Sequence, residues 1–193
     1  MSGAKGLPAE LEQRLAEVGK CLANGEPVGE ALPTAIAGLN ALPPTAISQV
    51  AYKVADTAKL YRRQPSDDWF PDLFRKQLTH TEQLLQFPDL RFLFLFHYDG
   101  RLREAAVQRL ADGLPSPFLF AALAWRLNDW VEPVRHAALR SAERCFPQTD
   151  PKIVAAAAEA LLLRQDSWGR WSDERNAVDA AYQRPDVARA LAL

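Results

Sequence analysis

Apolar side chains recur along this chain at spacings of three and four, in stretches bounded by proline, the pattern of amphipathic helices that each bury one stripe. From Pro8 to Ala23, Leu11, Leu15, Val18 and Leu22 form such a stripe, and Asn24-Gly25 stops it. A second helical piece covers Val28 to Leu42, interrupted by Pro33. A third follows Pro43-Pro44 through Ile47, Val50, Ala51, Val54, Ala58 and Tyr61. Ser66 and Asp67 are the cap expected for a fourth, carrying Phe70, Leu73, Leu78 and Leu84, with Pro71 in its first turn.

From Pro88 onward the pattern repeats. Leu102-Arg103-Glu104-Ala105-Ala106-Val107 superposes on Val134-Arg135-His136-Ala137-Ala138-Leu139 as apolar-Arg-polar-Ala-Ala-apolar. An apolar segment precedes each copy, Leu90 to His97 in the first and Phe118 to Leu127 in the second, and would be the other helix of its pair. Pro151 to Leu163 and Ser172 to Tyr182 supply a third pair without the motif. One such pair cannot bury its apolar face alone, so successive pairs must stack.

The matching residues, Asp99 with Arg103 and Asp129 with Arg135, each followed by a small Ala-Ala pair, resemble the HEAT repeat family. There an aspartate in the turn and an arginine early in the second helix are characteristic. The resemblance is clearest over residues 88–146 and implies an all-α fold, a right-handed α-α superhelix of antiparallel helix pairs. The expected organisation is a single α-helical domain, 1–193. Residues 1–87 contribute N-terminal helices and residues 88–193 the HEAT-like repeats.

Charge narrows the function classes. The chain has 23 basic and 24 acidic residues for a net charge of -1, and residues 1–87 and 88–193 are each nearly balanced. No half of the molecule is basic enough to draw it to nucleic acid or anionic membrane. The longest apolar run, Phe92 to Phe96, falls far short of the ~20 residues of a membrane span. The N-terminal residues carry one lysine with no apolar run behind it, so no secretory signal is expected. Cys21 and Cys145 lack metal-ligand spacing and read as free thiols of a cytoplasmic protein. The Ala, Leu and Arg usage has a bacterial cast.

For the recurring Asp and Arg, a structural role is expected: the carboxylate caps the second helix and the guanidinium ties neighbouring pairs together. Phe92, Phe94, Phe96, Phe118 and Phe120 are expected in the inter-helix core. The five tryptophans are concentrated late, with Trp125, Trp130, Trp168 and Trp171 in the second half. Turns of successive pairs align along one edge, so Trp130, Trp168, Arg170 and Trp171 are the candidate partner-binding ridge; the alternative is that these indoles close the end of the core. His80, between Thr79 and Thr81, is expected to face solvent, and His136 fills a polar position of the motif. In His97-Tyr98-Asp99 adjacent side chains diverge and are not expected to form a catalytic unit.

No nucleophile elbow, phosphate-cradling loop or zinc-ligand pair is present in the sequence, so no catalytic residue, cofactor or metal is assigned. The function expected is a non-enzymatic protein-interaction module, an adaptor, assembly factor or immunity-type inhibitor, whose partner is a protein or peptide. The alternative comes from resemblance: a family of bacterial DNA glycosylases is also built from HEAT-like pairs, and Trp125, Arg126, Asp129 and Trp130 are similar to the aromatic and acidic set those enzymes place near the lesion. A third class is structural, one segment of a larger array or a homodimer formed through an uncapped terminal repeat; the apolar tail from Val187 to Leu193 is expected to pack against something, its own third pair being one choice.

Overall fold

In the computed structural model, which describes residues 6–61, 78–162, 168–170 and 174–191, the proline and glycine punctuation becomes helix boundaries. Helix α1 (Ala9–Asn24) buries Leu11, Leu15, Val18 and Leu22 and ends where Gly25 turns left-handed at φ 65°. Helix α2 (Ala31–Asn40) contains Pro33 in its first turn, where a missing N–H loses no helical bond, so this proline does not interrupt the second piece as the sequence suggests. A 3-10 turn at Pro44–Ala46 leads into α3 (Ile47–Thr57). The cap expected at Ser66 and Asp67 lies outside the described residues. Helix α4 (His80–Gln86) opens instead on a capping box, Thr79 Oγ1 accepting from the Glu82 N–H while Glu82 accepts from the Thr79 N–H, so Leu78 precedes this helix.

The remaining helices are α5 (Leu90–Phe94), α6 (Gly100–Gln108), α7 (Pro117–Arg126), α8 (Glu132–Gln148), α9 (Pro151–Leu162), α10 (Arg175–Tyr182) and α11 (Pro185–Leu191). The described residues are all-helical, with no strand. None of these helices is long and apolar enough to cross a membrane.

Successive pairs pack as α5 on α6, α7 on α8 and α9 on α10. Second helices also pack on one another, α6 on α8 and α8 on α10, while α7, α9 and α11 form a second row. Polar bonds fix the first of these rows: Ser141 Oγ donates to the Val107 carbonyl at 2.8 Å, and Arg144 reaches the Leu110 carbonyl.

Helix α7 explains where the N-terminal helices go. Its residues Phe118 to Ala124 are buried on every side, which one row of neighbours cannot achieve. Ser116 caps it and Pro117 starts it. Its second flank is covered by α2, α3 and the Pro44–Ala46 turn, and that same turn also touches α9. Residues 6–61 therefore lie across the row of first helices instead of adding another pair at its end. One apolar cluster runs from Leu7 to Val187, and the five expected phenylalanines are all in it. Phe120 stacks on Phe146 with ring centroids 4.2 Å apart. The described part of the C-terminal stretch, α11, docks on α9 and buries Val187.

At Gly19, α1 approaches the backbone of Ala58, the residue that follows α3. A Cβ there would stand 2.5 Å from the Ala58 carbonyl oxygen and 2.9 Å from Ala58 Cα. Alanine favours a helix over glycine by about 1 kcal/mol, but here backbone must move to admit it. Gly19→Ala is expected to destabilise the protein by roughly 1–3 kcal/mol in urea unfolding; a variant as stable as the parent would contradict this helix crossing.

Candidate functional site

The exposed large aromatic side chains among the described residues are Tyr52, Tyr61, Tyr98 and Trp130; Tyr52, Tyr98 and Trp130 line one cleft, and Tyr61 packs against Tyr98. Tyr52 comes from α3, Tyr98 from the turn before α6, and Trp130 from the turn before α8. Tyr61 meets Tyr98 edge-on with centroids 6.5 Å apart. The cleft has a volume of about 350 Å³ and is closed at its sides by Phe96, Trp125 and Asn128. It therefore lies where the N-terminal helices meet the turns of the pairs.

Its floor is a buried charge cluster. The Asp129 carboxylate accepts four hydrogen bonds, from Arg103 Nη2 (2.8 Å) and the Val131 N–H (3.0 Å) on Oδ1, and from Arg103 Nε (2.9 Å) and Arg126 Nη1 (2.5 Å) on Oδ2. That uses essentially every lone pair an ionised carboxylate offers. Burial would raise the Asp129 carboxyl, but the Arg103 hydrogen bond, the Arg126 charge and the Val131 N–H outweigh it and hold the group below its ordinary value. Arg103 Nη1 also donates to the carbonyls of His97 and Tyr98, both at 2.9 Å. The expected tie between neighbouring pairs is thus present as the bidentate Arg103–Asp129 bond. The expected capping role divides: Asp99 caps α6 through the Arg101 N–H, whereas Asp129 mainly serves two arginines. Arg135 donates to the Asp129 backbone carbonyl and stands 3.6 Å from Glu174.

Arg126 is the less satisfied of the two arginines. Only 6% exposed, it lies against the Trp125 ring at 3.9 Å, and its Nε has no hydrogen-bond partner. Burial pulls its guanidinium down to about 10 despite the attraction of Asp129, and Arg103 adds to the lowering. At neutral pH it is still a cation.

Behind the Tyr98 turn lies a histidine pair. His97 Nδ1 accepts from the Asp99 N–H at 2.9 Å, so its proton must sit on Nε2, which donates to His80 Nδ1 at 3.0 Å. Burial, the neighbouring His80 and the Arg103 charge push the His97 imidazole down to about 3. His80 corrects the expectation of a solvent-facing residue: it is 7% exposed and packs on Phe94. Thr79 caps the helix one residue earlier, and α4 packs on α5 and α6, which turns the first helical side chain inward.

Of the expected ridge, Trp130 is 71% exposed and Arg170 is exposed at the cleft mouth, where its N–H donates to Asn128 Oδ1. Trp168 is only 9% exposed and belongs to the apolar cluster, as in the core-closing alternative. Trp171 lies outside the described residues. Trp125, Arg126, Asp129 and Trp130, the set noted for its similarity to the glycosylases, do line one cleft. Sequence reasoning missed Tyr52, and it noted Tyr98 only within His97-Tyr98-Asp99, without a binding role. Tyr52 left a trace, because it is the aromatic that falls off the buried stripe of Ile47, Val50, Ala51 and Val54.

Among the described residues no group of three or more His, Cys, Asp or Glu side chains could hold a metal ion. Cys145 is buried in α8 away from the cleft, and burial raises its thiol to about 11. No family model, no curated protein and no solved structure matches this chain, so the reading of the cleft rests on its own residues.

Proposed function

We propose that this chain is a non-enzymatic protein-interaction module, built on HEAT-like helix pairs, that holds a segment of a partner protein in the aromatic cleft. The observation that carries the reading is the convergence of Tyr52, Tyr98 and Trp130, from three separate stretches of chain, on one opening, with Tyr61 packed against Tyr98. Covering apolar ring surface that otherwise faces water is favourable, and Trp, Tyr and Arg are the residues through which interfaces gain most of their binding energy. The Arg103–Asp129 bond between neighbouring pairs supports the HEAT-like part of the proposal.

The chemistry of the lining favours binding over reaction. The one carboxylate that lines the cleft among the described residues has its lone pairs engaged, and His97 offers no free ring nitrogen as a base. A volume of about 350 Å³ is at the small end of ligand pockets and suits one or two side chains of an extended segment.

A nucleic-acid partner is the second reading, favoured by the meeting of Trp125, Arg126, Asp129 and Trp130. Against it, Asp129 faces two guanidinium groups, and a DNA-binding face needs several free cations to neutralise phosphates.

Affinity capture with the parent protein and Trp130→Ala, each with a nuclease-treated control, tests the proposal. Trp130 is mostly exposed, so the variant should melt like the parent. Its partner should nevertheless be held about 2 kcal/mol more weakly, roughly thirtyfold. Equal capture by both proteins removes the cleft from partner binding, and recovery of nucleic acid alone, lost at moderate salt, replaces the protein reading with the second one.

A further inference from the structure

Three charged side chains form the cleft floor, Arg103, Arg126 and Asp129, all of them buried, and their formal charges leave one positive charge uncompensated. A buried cation without its own counter-charge is unfavourable, and among the described residues the cleft lining supplies no other acid. The excess falls on Arg126. Arg103 makes four hydrogen bonds, two to Asp129 and two to backbone carbonyls, whereas Arg126 has one to Asp129 and an Nε with no partner.

Resting on the protein-interaction reading, we infer that the cleft takes an acidic-aromatic peptide segment, whose carboxylate pairs with Arg126 while an adjacent aromatic side chain sits among Tyr52, Tyr98 and Trp130. A carboxylate makes charge-assisted hydrogen bonds to a guanidinium, and Nη1 is the Arg126 nitrogen already turned to Asp129. Its single negative charge equals the excess on the floor. A phosphate monoester brings nearly two charges and three acceptor oxygens. It would leave part of that charge to Arg170, which stands in solvent at the mouth where its field is screened. Trp125 covers one face of the Arg126 guanidinium, which keeps water from that face and strengthens the pairing.

The inference separates a recognition role for Arg126 from a structural one. Arg126→Gln removes the uncompensated cation and leaves Arg103 and Asp129 one to one, so its melting temperature should equal or exceed the parent's. A residue present only to support the turn would lower it.

The test titrates the parent protein by calorimetry with four probes: the blocked tetrapeptide Ala-Glu-Trp-Ala, its neutral counterpart Ala-Gln-Trp-Ala, inorganic phosphate and adenosine 5′-monophosphate. The Glu peptide should bind tighter than the Gln peptide by about tenfold or more, as for a charge-assisted pair. Arg126→Gln should erase that difference, and Trp130→Ala should weaken both peptides. The comparison of peptides on the parent needs no variant, so it stands even if a variant fails to fold. Equal binding of the two peptides, both weakened by Trp130→Ala, overturns the carboxylate anchor and leaves the aromatic cleft intact. Binding of the nucleotide or phosphate with neither peptide bound overturns both the anchor and the protein-interaction reading. Absence of all binding overturns the anchor, and the lysate capture then decides the module reading by itself.

Discussion

Asp129→Asn is expected to destabilise the protein by about 3–5 kcal/mol, because it leaves two buried guanidinium groups without the carboxylate they share. The new amide keeps one acceptor oxygen but turns an NH2 donor toward N–H donors of Arg103 or Arg126, and it returns no charge. The Val131 N–H at the start of α8 loses its partner as well if the amide rotates to serve the arginines. Urea unfolding should show a lower midpoint with an unchanged slope, since the surface exposed on unfolding is the same. Combining the change with Arg126→Gln should recover part of the loss, because one orphaned cation goes with it. A single variant within about 1 kcal/mol of the parent would show the ion cluster to be dispensable.

Acid should weaken the fold well above the range where carboxylates titrate. His97 is held neutral in the folded chain, with its imidazole pushed from 6.5 to about 3 by burial, by His80 and by Arg103. Above pH 6.5 neither folded nor unfolded His97 carries a proton, and its contribution to stability is complete. As the pH falls below 6.5 the unfolded chain binds a proton that the folded chain refuses, so stability declines until the pH reaches about 3. At about 1.4 kcal/mol per pKa unit, the full decline amounts to roughly 3–5 kcal/mol. Burial shifts His80 the same way, and Asp129, lowered below 3.8, adds a further loss at the acid end. Protonating His97 also takes the acceptor from the Asp99 N–H, and so loosens the turn whose carbonyls hold Arg103. His97→Asn keeps an acceptor oxygen near the Nδ1 position and does not titrate, so its urea midpoint should vary less between pH 7 and pH 4 than the parent's; parallel curves would remove His97 as the cause.

The helices were legible because their signals are local. Pro117 with Ser116, Asn24 followed by Gly25, and stripes such as that of α1 depend only on neighbours in sequence. The Asp129–Arg103 tie was legible for a related reason, since a repeated motif implies the same contact between successive pairs. The cleft was not. It joins Tyr52, Tyr98, Arg126 and Trp130 from elements up to 78 positions apart, and their meeting depends on how residues 6–61 cross α7 and α9. Trp168 and His80 show the limit from the other side. Both lie at turns or helix starts, where direction is set by packing and not by periodicity, and both point inward.

The Pro44–Ala46 turn touches α7 and α9 together, the first helices of two successive pairs. Repeat arrays commonly change length by duplication or loss of a unit, because each unit meets only its neighbours. Here an extra pair inserted between α8 and α9 would carry α9 away from α7 by one unit and strip it from the turn that bridges them. The N-terminal helices thus act as a ruler laid across the pairs, and a chain with one more pair between its marks would lose the turn's hold on α9.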